Sequence, residues 1–371
     1  MPRPHRIVPI LSLLLACTGD ASDSGADAAP EDLTQSLPNP GPWGVGYTTA
    51  EMTYADTVTG TDRPLPLHLW YPSPDDTLDG SIYYRFAITV TGAEPDATLA
   101  SGRFPIAVLS HGHQSFADGS AFLSHHLASH GWLVIAPDHT NNTWNDGDNR
   151  TTEIYAQRPL DVSAVLDHLL SGGVTAFADA FDADHVVAIG HSFGGYTLFS
   201  AAGARYDLDA LLPECAAQAE GERSSFCSTM TDALADRLAQ GFSEPRVDAW
   251  IPMAPGDQRL FGPDGLGGLS APFLLMEGDL DPRAGDNPDQ YWAGMDGADD
   301  RYLRVLGGGH FTFTDQSGQE LIDGLIPREE GWPIINAYAL AFARRHALGD
   351  ETVAPVLDGE LSLFDAAELV P

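Results

Sequence analysis

The chain has 371 residues, enough for one large α/β domain or two smaller ones, and its 53 acidic and 18 basic residues give a formal net charge of −35. Nucleic acids and anionic lipid surfaces are bound through basic patches, so this balance argues against both kinds of docking. All 18 of these basic residues are arginines. The absence of lysine excludes any mechanism that uses a lysine amine.

The first 17 residues have the pattern of a targeting segment. A short basic region precedes an apolar run at 7–15 that is too short to span a bilayer. The run closes on a Leu-Leu-Ala-Cys sequence that ends at Cys17 and resembles a bacterial lipobox. This resemblance implies a mature chain that begins at an acylated Cys17, and Thr18 in place of aspartate implies the outer membrane. The alternative is an ordinary secretory signal and a periplasmic or secreted protein.

Composition divides the rest of the chain. Residues 18–42 hold few large apolar side chains, and we expect an acidic flexible tether there. Residues 43–350 have the pattern of a single α/β domain, followed by a C-terminal tail at 351–371. A helix-prone insertion at about 205–245 breaks the rhythm of this domain, and we interpret it as a small helical cap over the functional site.

Short apolar runs alternate with helix-prone segments through the domain. Strands are predicted at 65–71, stopping at Pro72, and at 83–91, 105–109, 132–136, 186–189, 249–253, 272–276 and 302–306. Helices are predicted at about 118–130, at 159–170 with Pro159 at its start, at 196–202 and at 334–346. This alternation indicates a mostly parallel sheet with helices on both faces.

Residues 190–194, Gly-His-Ser-Phe-Gly, match the G-x-S-x-G nucleophile elbow. They stand between a predicted strand and a predicted helix, which is the context that this motif needs. The sharp turn lifts the hydroxyl of Ser192 clear of the sheet, and small flanking residues avoid clashes there. Ser192 is therefore the predicted nucleophile.

A serine hydroxyl needs a base to take its proton, and that base needs an orienting carboxylate. In α/β-hydrolases the nucleophile comes first along the chain, the acid second and the histidine last. His310 follows three glycines directly after the strand at 302–306, where a loop can place its imidazole on Ser192. His310 is the predicted general base.

Four aspartates compete for the role of the acid. Asp281 and Asp279 leave the strand at 272–276 in a loop that commonly carries this residue, and Asp281 is preferred. Asp248 precedes the strand at 249–253 and should lie at the wrong edge of the sheet. Asp257 follows the far end of that strand. The prediction is Asp281, with the other three as alternatives.

An oxyanion hole needs two backbone N–H groups that point at the developing charge. Phe193, directly after the nucleophile, should supply one, and His113 in the loop after the strand at 105–109 should supply the other. His111 and His113 could also form a metal pair, but no clear third ligand lies nearby. We therefore predict neither a metal nor another cofactor.

Cys215 and Cys227 remain as a pair once Cys17 is lipidated. Export to an oxidising compartment predicts a disulfide between them. The alternative is two buried free thiols. Zinc is less favoured because neither cysteine has a His or Cys partner at metal spacing.

Several stretches together resemble the bacterial predicted dienelactone hydrolases, serine hydrolases related to platelet-activating-factor acetylhydrolase. They cover roughly 43–347 and lie at 69–72, 109–112, 127–132, 136–139, 158–162, 190–195 and 309–311. The resemblance implies the α/β-hydrolase fold and a triad of Ser192, His310 and an acid. The acetylhydrolases take their acid from a strand beside an Asp-Ala-Trp sequence, which this chain has at 248–250. True dienelactone hydrolases use a cysteine nucleophile, so Ser192 favours ester over lactone hydrolysis.

These features predict a serine hydrolase that cleaves carboxylic esters through an acyl-enzyme intermediate. The expected substrate is a small-molecule or lipid ester, and the expected membrane contact is an N-terminal lipid anchor. One alternative is an acyltransferase of the same fold. Another is an anchored binding protein without catalysis. Oligomeric state is not predicted.

Overall fold

The computed structural model describes residues 30–78, 80–84, 88–146, 151–316 and 321–371. The predicted signal segment with Cys17, and residues 18–29 of the predicted tether, lie outside the described residues. In the part of the chain that is described, no helix is long and apolar enough to cross a membrane. Residues from Leu33 to Pro371 form one compact unit.

The described strands form one mixed sheet and one separate hairpin. Their bounds are β1 (Gly44–Asp56), β2 (Thr61–Ser73), β3 (Ser81–Tyr84), β4 (Ile88–Thr91), β5 (Ala93–Pro95), β6 (Phe104–Ser110), β7 (Leu133–Pro137), β8 (Phe181–His191), β9 (Ala249–Met253), β10 (Leu274–Gly278), β11 (Arg301–Val305) and β12 (Ala367–Val370). The sheet order is β12-β11-β10-β9-β8-β6-β7-β2-β1-β5. Neighbours from β7 to β11 run parallel, so the carboxyl ends of β6, β8, β9, β10 and β11 share one edge.

Helices cover both faces of this sheet, as predicted. They are α1 (Leu33–Ser36), α2 (Ala121–Ser129), α3 (Thr152–Leu170), α4 (Phe193–Ala202), α5 (Leu208–Ala217), α6 (Asp232–Gln240), α7 (Asn287–Gly294), α8 (Arg328–Leu348) and α9 (Ala354–Leu357). Alternate residues of β6 point to opposite faces. Ile106 and Val108 therefore join the core under α3 and α4, and Ala107 and Leu109 join the core under α2 and α8.

Helix α3 begins earlier than predicted, so Pro159 lies inside the helix and not at its start. A proline has no N–H to give to the carbonyl four residues before it, here that of Tyr155. The hydroxyl of Tyr196 on α4 donates to this carbonyl at 2.9 Å. The tertiary contact satisfies the carbonyl that the proline leaves open, which local sequence rules cannot anticipate.

The strand predicted at 83–91 is wrong. The segment folds back on itself, with Ser81 opposite Thr91 and Tyr84 opposite Ile88, so its two halves pair with each other outside the main sheet. Strand β2 also runs through Pro72 to Ser73.

Both ends of the described chain belong to the domain, which corrects the predicted tether and tail. Leu33 and Leu37 are buried in the core under α2 and α8, so the tether prediction is wrong for its last residues. The tail contributes α9 and the edge strand β12, which pairs antiparallel with β11. Apolar contacts fix the first of these segments and strand pairing fixes the second, although the composition of neither indicates this.

The insertion at 205–245 contains α5 and α6. Its buried residues Leu211 and Leu238 belong to the same core as α3 and α4. Cys215 and Cys227 form a disulfide with a Cα–Cα distance of 5.0 Å, which is the predicted pairing.

Candidate active site

Ser192 stands at the sharp turn between β8 and α4. Its φ of 54° and ψ of −116° are a strained combination for a residue with a side chain. The N–H of Ser192 donates to the carbonyl of Met253 at 2.9 Å, which holds the turn. A Cβ at Gly190 would lie 2.5 Å from the carbonyl oxygen of Gly194, and a Cβ at Gly194 would lie 1.9 Å from that of Ser110. Close backbone approach therefore requires both glycines.

The structure brings Ser192, His310 and Asp281 into one hydrogen-bonded chain. Nε2 of His310 lies 3.0 Å from Oγ of Ser192, and Nδ1 lies 2.7 Å from Oδ2 of Asp281. The side chains of His310 and Asp281 are 9% and 1% exposed. A carboxylate only accepts, so Nδ1 carries the proton of a neutral imidazole. Nε2 is then free to accept the proton of the serine hydroxyl.

Asp281 is held as a carboxylate by His310 and by its own loop. Its Oδ1 accepts from the N–H groups of Arg283 at 2.7 Å and Ala284 at 3.0 Å. Burial raises the pKa of Asp281, but the hydrogen bond and charge of His310, with these two N–H groups, outweigh burial. The pKa of Asp281 therefore lies below its usual value, and the group is ionised at neutral pH.

The three alternative acids have other surroundings. Oδ1 of Asp279 accepts from the N–H of Gly307 at 2.6 Å. Oδ2 of Asp248 accepts from the N–H of Val186 at 2.8 Å, at the amino end of β9 and away from Ser192. Asp257 lines the cavity in a left-handed backbone conformation with φ of 61°. Of the four, the structure brings Asp281 to His310.

The two predicted oxyanion residues also lie at Ser192. Phe193 is the first residue of α4, at the end where the helix dipole is positive. Phe193 and His113 line the same cavity as Ser192. Gly112 packs against Ser192, because a Cβ at this position would lie 3.4 Å from the Cβ of Ser192. The geometry suits a small oxygen anion next to Oγ.

His111 does not join His113 in a ligand set. Nδ1 of His111 donates to the carbonyl of Gly112 at 2.7 Å, and Nε2 accepts from the N–H of His139 at 3.0 Å. Both ring nitrogens of His111 thus bond to backbone groups, one in its own loop and one in the loop after β7. In the described parts of the chain there is no group of three or more His, Cys, Asp or Glu residues that could hold a metal.

A cavity of about 690 Å³ opens above Ser192. Its walls come from loops at the carboxyl edge of the sheet and include the aromatic residues Trp144 and Phe311 and the charged Arg283. Residues 205–245 are described throughout, and none of them lines this cavity. The predicted cap over the site is therefore wrong, because the apolar side chains of the insertion pack on α3 and α4.

Sequence reasoning missed the contacts of His191, the residue before Ser192. Its Nε2 lies 3.0 Å from the carbonyl oxygen of His310 and its ring lies 4.8 Å from that of His310. Burial, followed by the charge of His310, lowers the pKa of His191 to about 3. The ring is therefore neutral, and because a carbonyl only accepts, its proton is on Nε2.

Sequence reasoning also gave no role to Asn142 and Arg158, which are fully buried behind the loop that carries His113. The one available signal was that the charged Arg158 and Asp161 stand among the apolar residues of this helical segment. Asn142 had no signal, because it lies in a polar loop whose sequence is not distinctive.

Known proteins resemble this chain in part of its sequence and in most of its fold. The family described as Chlorophyllase matches residues 93–212, less than half of the chain, including Ser192. Two cutinases of Thermobifida alba, est2 and est1, are 33% and 32% identical over 105 residues, which is 28% of this chain. The match spans 32% of the length of each of these relatives.

The solved structure of a ferulic acid esterase from Streptomyces cinnamoneus matches with a TM-score of 0.65 and 22% sequence identity. The match covers 91% of this chain and 100% of that one. The protein has the α/β-hydrolase fold. The predicted fold class is therefore confirmed, and the similarities support the recognition of an α/β serine hydrolase.

Proposed function

We propose that this protein hydrolyses carboxylic esters through an acyl-enzyme intermediate. The observation that carries the proposal is the chain of contacts from Oγ of Ser192 through His310 to Asp281, at 3.0 and 2.7 Å. His310 takes the proton of Ser192 as Oγ attacks the carbonyl carbon, and Asp281 stabilises the imidazolium that forms.

The remaining steps use the same groups. The N–H groups of Phe193 and His113 bind the oxyanion of the tetrahedral intermediate. His310 gives its proton to the leaving alkoxide oxygen as the C–O bond breaks, which frees the alcohol. A water molecule then loses a proton to His310 and attacks the acyl-enzyme, and His310 returns this proton to Oγ of Ser192 as the acid leaves.

The names of the similar proteins support an ester as the substrate. The relatives are called cutinases and the structural neighbour a ferulic acid esterase, and both names describe ester hydrolases. The cavity of about 690 Å³ has room for an acyl or alcohol group larger than acetate. Its lining combines the aromatic Trp144 and Phe311 with the polar Gln114 and Asn287. We therefore propose a medium-sized ester with both apolar and polar parts.

Replacement of the nucleophile tests the proposal. We expect Ser192→Ala to lower kcat for p-nitrophenyl butyrate by a factor on the order of 10⁴ to 10⁶, because no other group can form the acyl-enzyme. A fluorophosphonate probe should add to the wild-type protein at Ser192, as read by peptide mass, and should leave the variant unlabelled.

The control is Ser171→Ala, which removes an exposed hydroxyl that donates to the carbonyl of His168 at 3.0 Å, remote from the cavity. This variant should retain wild-type rates. Turnover that survives in Ser192→Ala at the level of the control would exclude Ser192 as the nucleophile and the proposal with it.

We further propose that the protein is exported and anchored by lipid at Cys17. The disulfide between Cys215 and Cys227 supports an oxidising compartment, and the sequence before Cys17 supports lipidation. The full chain expressed in a Gram-negative host should partition into the detergent phase of Triton X-114 and incorporate labelled palmitate. Cys17→Ser should move it to the aqueous phase, and a wild-type chain already found there would contradict the anchor.

A further inference from the structure

The loop after β6, residues 110–115, carries the proposed oxyanion donor His113 and is backed by buried polar side chains. We propose that Asn142 and Arg158 are positioning residues for the oxyanion hole. Asn142 fixes the half that contains His113, and Arg158 fixes the half that contains Phe193. This inference rests on the ester hydrolysis proposed above and extends it to residues that do not touch the substrate.

Asn142 lies in the loop after β7, residues 139–146, and joins it to the loop at 110–115 through both its backbone and its side chain. Its carbonyl accepts from the N–H of Gln114 at 3.2 Å, and its own N–H donates to the carbonyl of His139 at 2.9 Å. Its side-chain Nδ2 lies 2.9 Å from Nδ1 of His113. Asn142 is fully buried, so these bonds are shielded from exchange with water. The positions of His113 and Gln114 therefore depend on Asn142.

The chemistry of the partners sets the orientation of the Asn142 amide. Oδ1 of Asn142 lies 2.7 Å from the NH1 group of Arg158. A guanidinium can only donate, so the oxygen of the amide must face Arg158 and the NH₂ group must face His113. Nδ1 of His113 is then an acceptor, and its proton is on Nε2. Arg158 thus determines how Asn142 holds His113.

Arg158 also reaches the other half of the oxyanion hole. Its guanidinium carbon lies 5.0 Å from the ring centroid of Phe193, a cation–π distance. Its NH2 group donates to Oγ of Ser110 at 3.0 Å and to the carbonyl of His111. One fully buried side chain therefore contacts the start of the oxyanion loop and the residue that begins α4.

A directional chain of hydrogen bonds fixes the far side of Ser110. Oδ2 of Asp161 lies 2.8 Å from Nδ1 of His139, whose Nε2 lies 2.9 Å from Oγ of Ser110. The carboxylate makes Nδ1 a donor, so Nε2 accepts the serine proton, and Oγ is left to accept from Arg158. Arg63 closes the chain with two bonds to Asp161, at 2.7 and 2.9 Å. These bonds fix the direction of the proton on Oγ of Ser110 and so orient the NH2 group of Arg158 toward it.

Asn142→Ala should impair catalysis while leaving Ser192, His310 and Asp281 in place. We expect kcat for p-nitrophenyl butyrate to fall about tenfold to a hundredfold and KM to change less than about threefold. A misplaced donor weakens binding of the oxyanion more than binding of the ester. Rates are expressed per Ser192 titrated with fluorophosphonate, so that unfolded protein does not contribute.

A double-mutant cycle isolates the contact between Asn142 and His113. His113→Ala cuts the same hydrogen bond from its partly exposed side and leaves the backbone N–H of residue 113 intact. If Asn142 acts through His113, the double variant should lose little more activity than either single variant. Should Asn142→Ala fail to fold, His113→Ala alone should still show the fall in kcat at unchanged KM.

Gln157 provides a matched control for Arg158 on the same helix. Gln157 is also buried, but its Nε2 donates to Oδ2 of Asp56 at 2.7 Å, away from the cavity. Arg158→Met should lower kcat per titrated site about tenfold or more. Arg158→Lys should recover part of that loss because the charge remains. Gln157→Met should lower Tm and leave kcat per titrated site within about twofold of wild type.

The results separate this inference from the proposed function. A kcat per titrated Ser192 within about twofold of wild type in Asn142→Ala and His113→Ala, or additive losses in their cycle, would overturn the positioning role. Equal effects of Arg158→Met and Gln157→Met would also overturn it. A wild-type protein without Ser192-dependent hydrolysis would instead overturn the proposed function.

Discussion

The candidate site has two sides that are built in different ways. The acid–base side consists of the loops after β10 and β11, residues 279–286 and 307–316, and there local backbone contacts hold the acid. Asp281 accepts from the backbone N–H groups two and three residues after it. The oxyanion side consists of residues 110–115, 139–146 and Arg158. There the side chain of Arg158 bonds to groups 16 and 48 residues away in sequence.

The two sides differ in how far apart in sequence the bonded groups lie, and this difference has energetic consequences. Local backbone bonds form as soon as the loop takes its shape, so they need no particular side chain elsewhere in the chain. Long-range bonds between buried side chains leave a costly unpaired group when any one partner is removed. The oxyanion side should therefore be the more sensitive to substitutions of residues outside the triad.

The largest effect is expected on the acid–base side itself. Asp281→Asn keeps the size of the side chain but removes the charge that stabilises the imidazolium of His310 and fixes its tautomer. We expect kcat for p-nitrophenyl butyrate to fall by roughly 10³ to 10⁴. Asp279→Asn is the matched control, since an amide oxygen can still accept from Gly307. A larger loss of kcat in this control, or in Asp257→Asn, than in Asp281→Asn would show that Asp281 is not the acid of the triad.

Much of the acid–base side could be predicted from sequence, because its signals are short and local. Three glycines before His310 and a turn after a buried strand placed the histidine and the acid loop without knowledge of the rest of the chain. The order of nucleophile, acid and histidine then left few choices. The contact between Nδ1 of His310 and Asp281 is the one that was favoured.

Other parts could not be predicted, because long-range packing decides them. The insertion at 205–245 is as helical as expected, but its sequence does not show that its apolar face fits α3 and α4 better than the rim of the cavity. Pro159 marks the start of a helix by local rules, but inside α3 the hydroxyl of Tyr196 satisfies the carbonyl that the proline leaves open. Asn142 depends on partners that only the fold brings near.

A smaller effect, on stability, is expected at the end of the acid–base side. Asp315 is buried against the amino end of α2, where its Oδ2 accepts from the N–H of Phe122 at 3.2 Å. Burial, more than the charge of Asp118, raises the pKa of Asp315 to about 7, against the opposing effect of backbone N–H groups. The usual value is 3.8. The folded state therefore binds more protons between about pH 4 and pH 7, and its stability falls as the pH rises through this window.

Asp315→Asn should remove this dependence, because the amide stays neutral like the protonated acid. We expect the free energy of unfolding at pH 8 to rise by roughly 2 to 4 kcal/mol over wild type and to change little at pH 4. Urea unfolding at both pH values measures this free energy. A variant that is less stable than wild type at pH 8 would show that the charge-assisted bonds to α2 outweigh the burial of the carboxylate.

The smallest effect is expected at His191, which lies between the two sides. Its Nε2 donates to the carbonyl of His310, and its Nδ1 would lie 3.1 Å from a Cβ placed on Gly112 of the oxyanion loop. The amide nitrogen of glutamine can take the position of Nε2, whereas phenylalanine fills the space without a donor. We expect His191→Phe to lower kcat about tenfold and His191→Gln to stay within about threefold of wild type. Equal losses in both variants would mean that the ring's shape between the two sides matters and that its bond to His310 does not.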